Sequence, residues 1–482
     1  MNGGPPLPPG AGRQPLGCTC RLRGYSGGMT TAATSPGASV EHTPLRQEIT
    51  LPMLTVFVIG DVLGAGIYAL VGEVAGKVGG AIWTSFLLAG VLAAFTATAY
   101  AELVTKYPRA AGAALYVHKA FKRPFFTFLV AFAVMCSGVA SAATLATAFG
   151  GDYLSEFVTL PKILVGVVFL GLLALINFRG IKESISLNLG LTAVELTGLL
   201  LVTAIGLVFI LDGGGDPGRA LEFNSGEAVP LAMLSGASLA FFALIGFEDS
   251  VNVAEETREP SRVFPPALFL GLGIALAIYI VVTLIAGMAV PVDDLEASDG
   301  PLLEVVQLGP IAMNTKVFSA IALFALTNGA LINMVMASRL IYGMAQQGIV
   351  PRAMGRIHRE RRTPWVAIAF VAALAMLLLA LGDLESLAET TVLLLLGVFV
   401  CVNVAVLVLR RDRVEHDHWR APTALPALGA AACLGLIVQK AFDDAIVFAY
   451  AGGLLALGVA LWAINRALTG PAEPIDPARL TD

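Results

Sequence analysis

The stretch IGDVLGAGIYAL, residues 59–70, decides how this chain is read. It lies inside an apolar run that opens near Leu51, and its composition is that of a membrane-spanning helix. Yet Gly60, Gly64 and Gly66 crowd its middle, and Asp61 sets a carboxylate among them. Each glycine costs a helix about 1 kcal/mol relative to alanine. In lipid there is no water to satisfy a backbone that unwinds. The segment therefore predicts a spanning helix interrupted near its centre, where something polar must meet the freed groups.

The rest of the chain supplies the membrane. Of 482 residues, 57% are apolar and 13% are charged, and the mean hydropathy is +0.80. A soluble domain carries roughly twice that charged fraction. Apolar runs of about 20 residues, each long enough to cross about 30 Å of hydrocarbon, recur along nearly the whole length. They are continuous rather than alternating, which excludes a β-barrel. The fold class is an all-α polytopic membrane protein. Hydropathy predicts about twelve helices, over residues 51–76, 81–104, 125–149, 161–178, 187–211, 230–254, 265–289, 315–345, 365–381, 387–409, 422–440 and 445–466.

Residues 1–48 are rich in Gly, Pro, Ser and Thr, contain no apolar run, and read as a disordered tail, with Met29 as an alternative start. No secretory signal peptide is visible. Residues 467–482 read as a second tail. Cys18 and Cys20 fall in the first tail, while Cys136, Cys401 and Cys433 fall in apolar runs and read as buried, reduced thiols. Neither metal-ligand spacing nor a nucleotide-binding motif occurs, so transport driven by the chain's own ATP hydrolysis is not indicated.

Charge alternates from loop to loop. The loops after the second, fourth, sixth, eighth and tenth helices hold the basic residues, among them Lys106, Arg109, Arg179, Arg258, Arg356 and Arg410. The opposite loops hold few, Lys77, Lys162, Arg219, Lys316 and Lys440, and are acidic at Asp212, Asp216, Asp293, Asp294, Glu296 and Asp299. The positive-inside rule then places both termini in the cytoplasm of a cell with this multi-pass protein in its plasma membrane. The longest outer loop, residues 291–310, predicts a short surface helix.

A second interruption matches the first. The sixth helix reads LSGASLAFFALIGFEDSVNVAEETREPSR over residues 234–262, with Gly246 in the run and Glu248 and Asp249 directly after it. Five helices separate the two breaks, so the second copy enters from the opposite side. This is the pattern of two inverted five-helix repeats, residues 49–211 and 230–410, followed by two further helices over 421–466. The half-helix after a break presents free N–H groups and a partial positive charge, suited to a carboxylate. The half-helix before it presents free C=O groups, suited to an ammonium. A zwitterionic α-amino acid carries both ends. Taken alone, Gly60, Gly64 and Gly66 fit close helix packing better than binding; the paired break reverses that reading.

These residues resemble the amino acid–polyamine–organocation permeases. IGDVLGAGIYALVGEVAG (residues 59–76) is similar to their first helix and FFALIGFEDSVNVAEETREPSRVFPPAL (241–268) to their sixth. YAELVTKYPRAAGAALYVHKAF (100–121) is similar to the end of their second helix, with Ala111 before Gly112 where a Gly-Gly pair is usual. ASRLIYGMAQQGIVP (337–351) is similar to the end of their eighth. The resemblance implies that Gly64, Ala65, Gly66 and Ile67 receive a substrate carboxylate on backbone N–H groups. It further implies that carbonyls of Val62, Phe242 and Ile245 receive the amino group, with Gly246 at the second break. Phe242 then covers the substrate from outside, or is ordinary packing. Glu248 meets a cationic substrate, organises a gate, or hydrogen-bonds the unwound backbone. Glu255 and Glu256 with Arg258 and Arg262 read as a solvated cluster or an inner gate.

Glu195 sits deep in the apolar fifth helix, where some relatives in this resemblance carry a lysine that does the work of a sodium ion. Desolvation favours its neutral form. It is a proton-coupling candidate, and equally a helix–helix hydrogen bond. Ser137, Ser141, Thr327 and Asn328 are further candidates to line the pathway. The implied function is secondary active transport of amino acids by alternating access, as H⁺-coupled symport or exchange, with Na⁺ still open. No enzyme activity, metal or other cofactor is expected. The expected partners are the substrate and the lipid bilayer, and no nucleic acid. Polyamine or amine transport, or a sensor or channel on the same fold, are the alternatives.

Overall fold

The computed structural model describes residues 48–109, 112–180, 185–224, 226, 228–309 and 314–470. The expectations for residues 1–47 and 471–482, with Cys18, Cys20, Met29 and Ala111, lie outside the described residues. Within them the protein is helical, with one isolated parallel bridge between Ile49 and Thr257.

Each apolar run forms a helix. The first span is two helices, Leu51–Val62 and Gly66–Val78, bent by 48° at the break. The second to fifth are Ile82–Lys106, Pro124–Phe149, Lys162–Arg179 and Ile185–Leu211. The sixth is Val229–Leu244, then a break, then the 3-10 segment Asp249–Glu256. Pro260–Ala289, Thr315–Gln346, Trp365–Leu381, Leu384–Leu409, Ala424–Asp443 and Ala445–Thr469 complete the set. Among the described residues ten spans are long and apolar enough to cross a membrane, and the bent pair makes eleven. The ninth, Trp365–Leu381, is a shorter apolar helix. The protein is an all-α polytopic membrane protein.

Local chemistry sets many of the ends. Proline occupies one of the first two positions of the first, third, sixth and seventh spans. Its fixed φ suits a helix start and its missing N–H is not needed there. The tenth span opens with a capping box: Asp383 accepts from the Ser386 N–H at 2.8 Å, and the Ser386 hydroxyl accepts from the Asp383 N–H at 3.2 Å.

Three local expectations are corrected. The loop after the second span contains a helix, Gly112–Phe121, which its basic composition hid. The predicted surface helix of the longest outer loop is instead two helices, Val292–Ala297 and Pro301–Leu308, and these are packed inward, with Leu295, Leu302 and Val305 fully buried. Lys440, taken as a loop cation, lies inside the eleventh span, buried and ion-paired with Glu389 of the tenth.

The first and sixth spans are tied together at both ends. At the end rich in acidic loops, the Ala81 N–H donates to Glu222 O (3.1 Å) and the Asn224 N–H donates to Val78 O (3.2 Å). At the basic end, the Ile49 N–H donates to Glu256 O and the Arg258 N–H to Ile49 O, both 3.0 Å. The basic end carries a second lock between the second span and the connection after the tenth. Glu102 is buried there, bound by Arg410 Nε at 2.9 Å and Nη2 at 2.6 Å, and by the Ala421 N–H at 3.0 Å. Cys136 and Cys433 are buried free thiols and Cys401 is a partly buried one.

Candidate functional site

The two breaks meet backbone to backbone. Gly246 has φ +127°, a conformation L-residues rarely adopt, and a Cβ there would lie 2.5 Å from the Asp61 carbonyl oxygen. A Cβ added to Gly66 would lie 2.8 Å from Ala243 Cα and 3.1 Å from Phe242 Cδ1. The end of each first half-helix thus packs on the other span's break, and glycine is what permits it. Gly64 differs: its Cβ would meet nothing nearer than the Asp61 carbonyl oxygen at 3.7 Å, so space lies beside it.

The break frees backbone groups, but not all of those expected: the Phe242 carbonyl, expected to receive an amino group, accepts the Ile245 N–H instead because the last helical turn closes on it. The helix Gly66–Val78 makes its first backbone bond from the Ala69 N–H to Ala65 O, 3.2 Å. Among the described residues the N–H groups of Gly64, Ala65, Gly66, Ile67 and Tyr68 have no acceptor. In the sixth span the last helical turn closes at the Ile245 N–H to Phe242 O, 3.3 Å, and the Ala243, Leu244 and Ile245 carbonyls accept no backbone N–H. Donors from one break and acceptors from the other therefore lie on adjoining turns.

Several freed groups are taken by the protein itself. The Val62 carbonyl accepts from the buried Tyr279 hydroxyl at 2.6 Å, which leaves one lone pair. The Gly246 N–H donates to Glu248 Oε2 at 2.9 Å, so Glu248 makes the hydrogen bond to unwound backbone that was one of its readings. Phe242 is buried against Gly66. Tyr279 was missed by sequence reasoning. Its signal was the one tyrosine in the apolar run of the seventh span.

Below the breaks, toward the basic end, lies a cavity of about 90 Å³. Ile245, Glu248 and Asp249 of the sixth span line it, with Ser137 and Ser141 of the third span and Asn333 of the eighth. Gly112, at the start of the connecting helix, and Asn252 mark its basic end. Ser137 and Ser141 are thus brought to the site. Thr327 is not among the residues lining this cavity, and its hydroxyl bonds the Leu323 carbonyl one turn back.

Glu195 is 1% exposed and bridges spans. Its Oε1 accepts from Asn328 Nδ2 at 3.1 Å, while its carbonyl accepts from the Tyr68 hydroxyl at 2.7 Å. The Tyr153 hydroxyl in turn reaches Tyr68 O at 2.9 Å. Glu195 Oε2 and Asp61 Oδ2 are both buried without a partner among the described residues. Asp61 lies in Coulombic range of Asp249, Glu248 and Glu195. Glu255 and Glu256 stand apart from the cavity lining; Arg262 pairs with Glu259 on the exposed surface at 3.1 Å.

This is the architecture of a membrane permease, with unwound helices crossing at an internal site. The amino acid permease family matches residues 49–463, and the chain belongs to that family. It is 25% identical over 428 residues to the branched-chain amino acid permease BcaP of Bacillus subtilis (strain 168), covering 84% of this chain and 90% of that protein. It is 27% identical over 434 residues to the chloroplastic cationic amino acid transporter 9 of Arabidopsis thaliana, covering 84% of this chain and 74% of that one. The human cystine/glutamate transporter is 25% identical over 457 residues, 90% and 89% of the two chains.

Proposed function

We propose that this protein is a secondary active carrier of α-amino acids, and that substrate binds across the two breaks. The observation that carries the reading is their juxtaposition: N–H groups at Gly64, Ala65, Gly66, Ile67 and Tyr68, and carbonyls at Ala243, Leu244 and Ile245, with no backbone partner among the described residues. The first set receives the carboxylate, where the helix dipole adds partial positive charge. The second receives the ammonium, with Phe242 packed above. Alternating access then moves one inverted repeat against the other. The charge asymmetry of the loops supports cytoplasmic termini in the plasma membrane.

Coupling runs through Glu195, which has a buried oxygen without a partner among the described residues and whose carbonyl accepts from the Tyr68 hydroxyl just past the first break. A proton taken there neutralises a carboxylate that has no cation to meet it. Counterflow in proteoliposomes tests the carrier: trans substrate must accelerate uptake of labelled amino acid, and saturable exchange must persist without any ion gradient. Ion conductance without exchange would instead establish a channel.

A further inference from the structure

We infer that Asp249 is the receptor for a positively charged substrate side chain, which makes lysine- or arginine-like amino acids the preferred cargo. The inference rests on the proposed seating of the α-carboxylate and α-ammonium and adds the third point of recognition.

The two adjacent carboxylates after the second break have different tasks. Glu248 is turned back onto the Gly246 N–H and holds the break. Asp249 also lines the cavity, and its one described side-chain hydrogen bond is a long one, from Asn252 Nδ2 at 3.5 Å. Around it stand hydroxyls and amides, Ser137, Ser141, Asn252 and Asn333, and no lysine, arginine or histidine lines the cavity among the described residues. A carboxylate at membrane depth without a cationic partner is costly. A zwitterionic substrate is neutral overall and leaves that cost in place. A side-chain ammonium or guanidinium removes it.

The reach is right. A Cβ on Gly329 would lie 3.0 Å from Leu145 and 3.3 Å from Ala65, so the eighth and third spans close on the first break at that level. Ser141 and Asn333 sit one turn away on the same two spans, toward the basic end. That places the cavity about 6 Å beyond Ala65, at 1.5 Å rise per residue. A lysine side chain runs through five bonds of about 1.5 Å, which in a staggered chain also covers one helical turn. A cavity of about 90 Å³ has room for several water-sized groups.

L-Lysine and L-norleucine differ by the ammonium on the terminal carbon, and cadaverine is lysine without its carboxylate. Counterflow of the three in proteoliposomes containing the full chain is expected to favour lysine over norleucine by about tenfold or more, because a site built for a polar group rejects the analogue lacking it. Asp249→Asn is expected to reduce that ratio about tenfold, and Asp249→Glu to retain it. Equal use of lysine and norleucine by the unaltered protein overturns the proposal, whether or not the variants fold. So does an unchanged ratio in monodisperse Asp249→Asn protein. Cadaverine accepted as well as lysine, with the same loss in Asp249→Asn, upholds the role of Asp249 and overturns the amino acid reading. Failure to exchange any of the three while another α-amino acid exchanges overturns this inference alone; failure to exchange any of the twenty amino acids overturns both.

Discussion

Replacing the three break glycines one at a time with alanine separates packing from binding. Gly246→Ala meets two penalties. Its φ of +127° is strained for any residue with a Cβ, which costs about 1–3 kcal/mol. The new methyl also lies 2.5 Å from the Asp61 carbonyl oxygen, and the breaks must part by about 1 Å to reach ordinary contact. Overpacking of that kind costs about 1–3 kcal/mol more. The total is about 2–6 kcal/mol. Gly66→Ala meets only the second penalty, against Ala243 Cα at 2.8 Å. Gly64→Ala meets neither, since its nearest neighbour is at 3.7 Å. Thermal inactivation in detergent, followed by size exclusion, is therefore expected to rank stability as Gly64→Ala near wild type, then Gly66→Ala, then Gly246→Ala. Substrate affinity follows a different order. Gly64→Ala is expected to weaken it about tenfold, or about 1.4 kcal/mol, because the methyl stands where a carboxylate approaches the free N–H groups. A Gly246→Ala protein as stable as Gly64→Ala would refute the backbone contact. A Gly64→Ala protein with unchanged affinity would refute the carboxylate seat.

Other perturbations probe the locks and the coupling. Glu102→Ala leaves the Arg410 guanidinium, only 10% exposed, without its carboxylate, and the expected loss is about 3–5 kcal/mol; a loss below about 1 kcal/mol in the same assay would show the lock to be idle. Lys440→Met is expected to destabilise more than Lys440→Met combined with Glu389→Leu, because the single change strands a buried carboxylate and the double change does not; equal stability of the two would contradict the pairing. Glu195→Gln is expected to flatten the pH dependence of uptake, measured with an imposed pH gradient. Normal transport with its pH dependence intact would remove Glu195 from coupling.

Hydropathy located the spans because lipid demands a continuous apolar run, and that demand is local. Trp365–Leu381 coincides with its predicted bounds. The break at Gly64 was legible for the opposite reason: glycines and an acid in such a run have no local use. Its bend was not, since glycine barely interrupts a hydropathy profile and 51–76 reads as one segment. What escaped were features that depend on distant partners. Lys440 looks like a helix boundary until Glu389 is seen beside it. Leu295, Leu302 and Val305 look like the apolar side of a surface helix until the bundle encloses them. Tyr279 reaches Val62 across 217 residues, and no spacing within one span announces that bond.

The pattern of repair at the breaks bears on what they do. A broken spanning helix leaves donors and acceptors that each cost several kcal/mol in lipid. Here the repair is uneven. The Val62 carbonyl has Tyr279 and the Gly246 N–H has Glu248. These two bonds fix the edges of the opening. The N–H groups from Gly64 to Tyr68 have no acceptor among the described residues, although side-chain oxygens elsewhere accept from N–H groups at helix starts, as those of Asp383 and Asp444 do. Gly64, Ala65, Gly66 and Ile67 carry no side-chain oxygen able to do the same. A protein selected only for stability would place a hydroxyl or an amide at one of them. The first N–H groups of a helix have no partner within it and are met by side chains, water or a ligand, so this run of donors is open to an acceptor from outside. An amino acid bound at the proposed seat would stabilise the folded state by RT ln(1 + [L]/Kd), and the residues that weaken the first helix would then couple its binding to the conformation of the bundle.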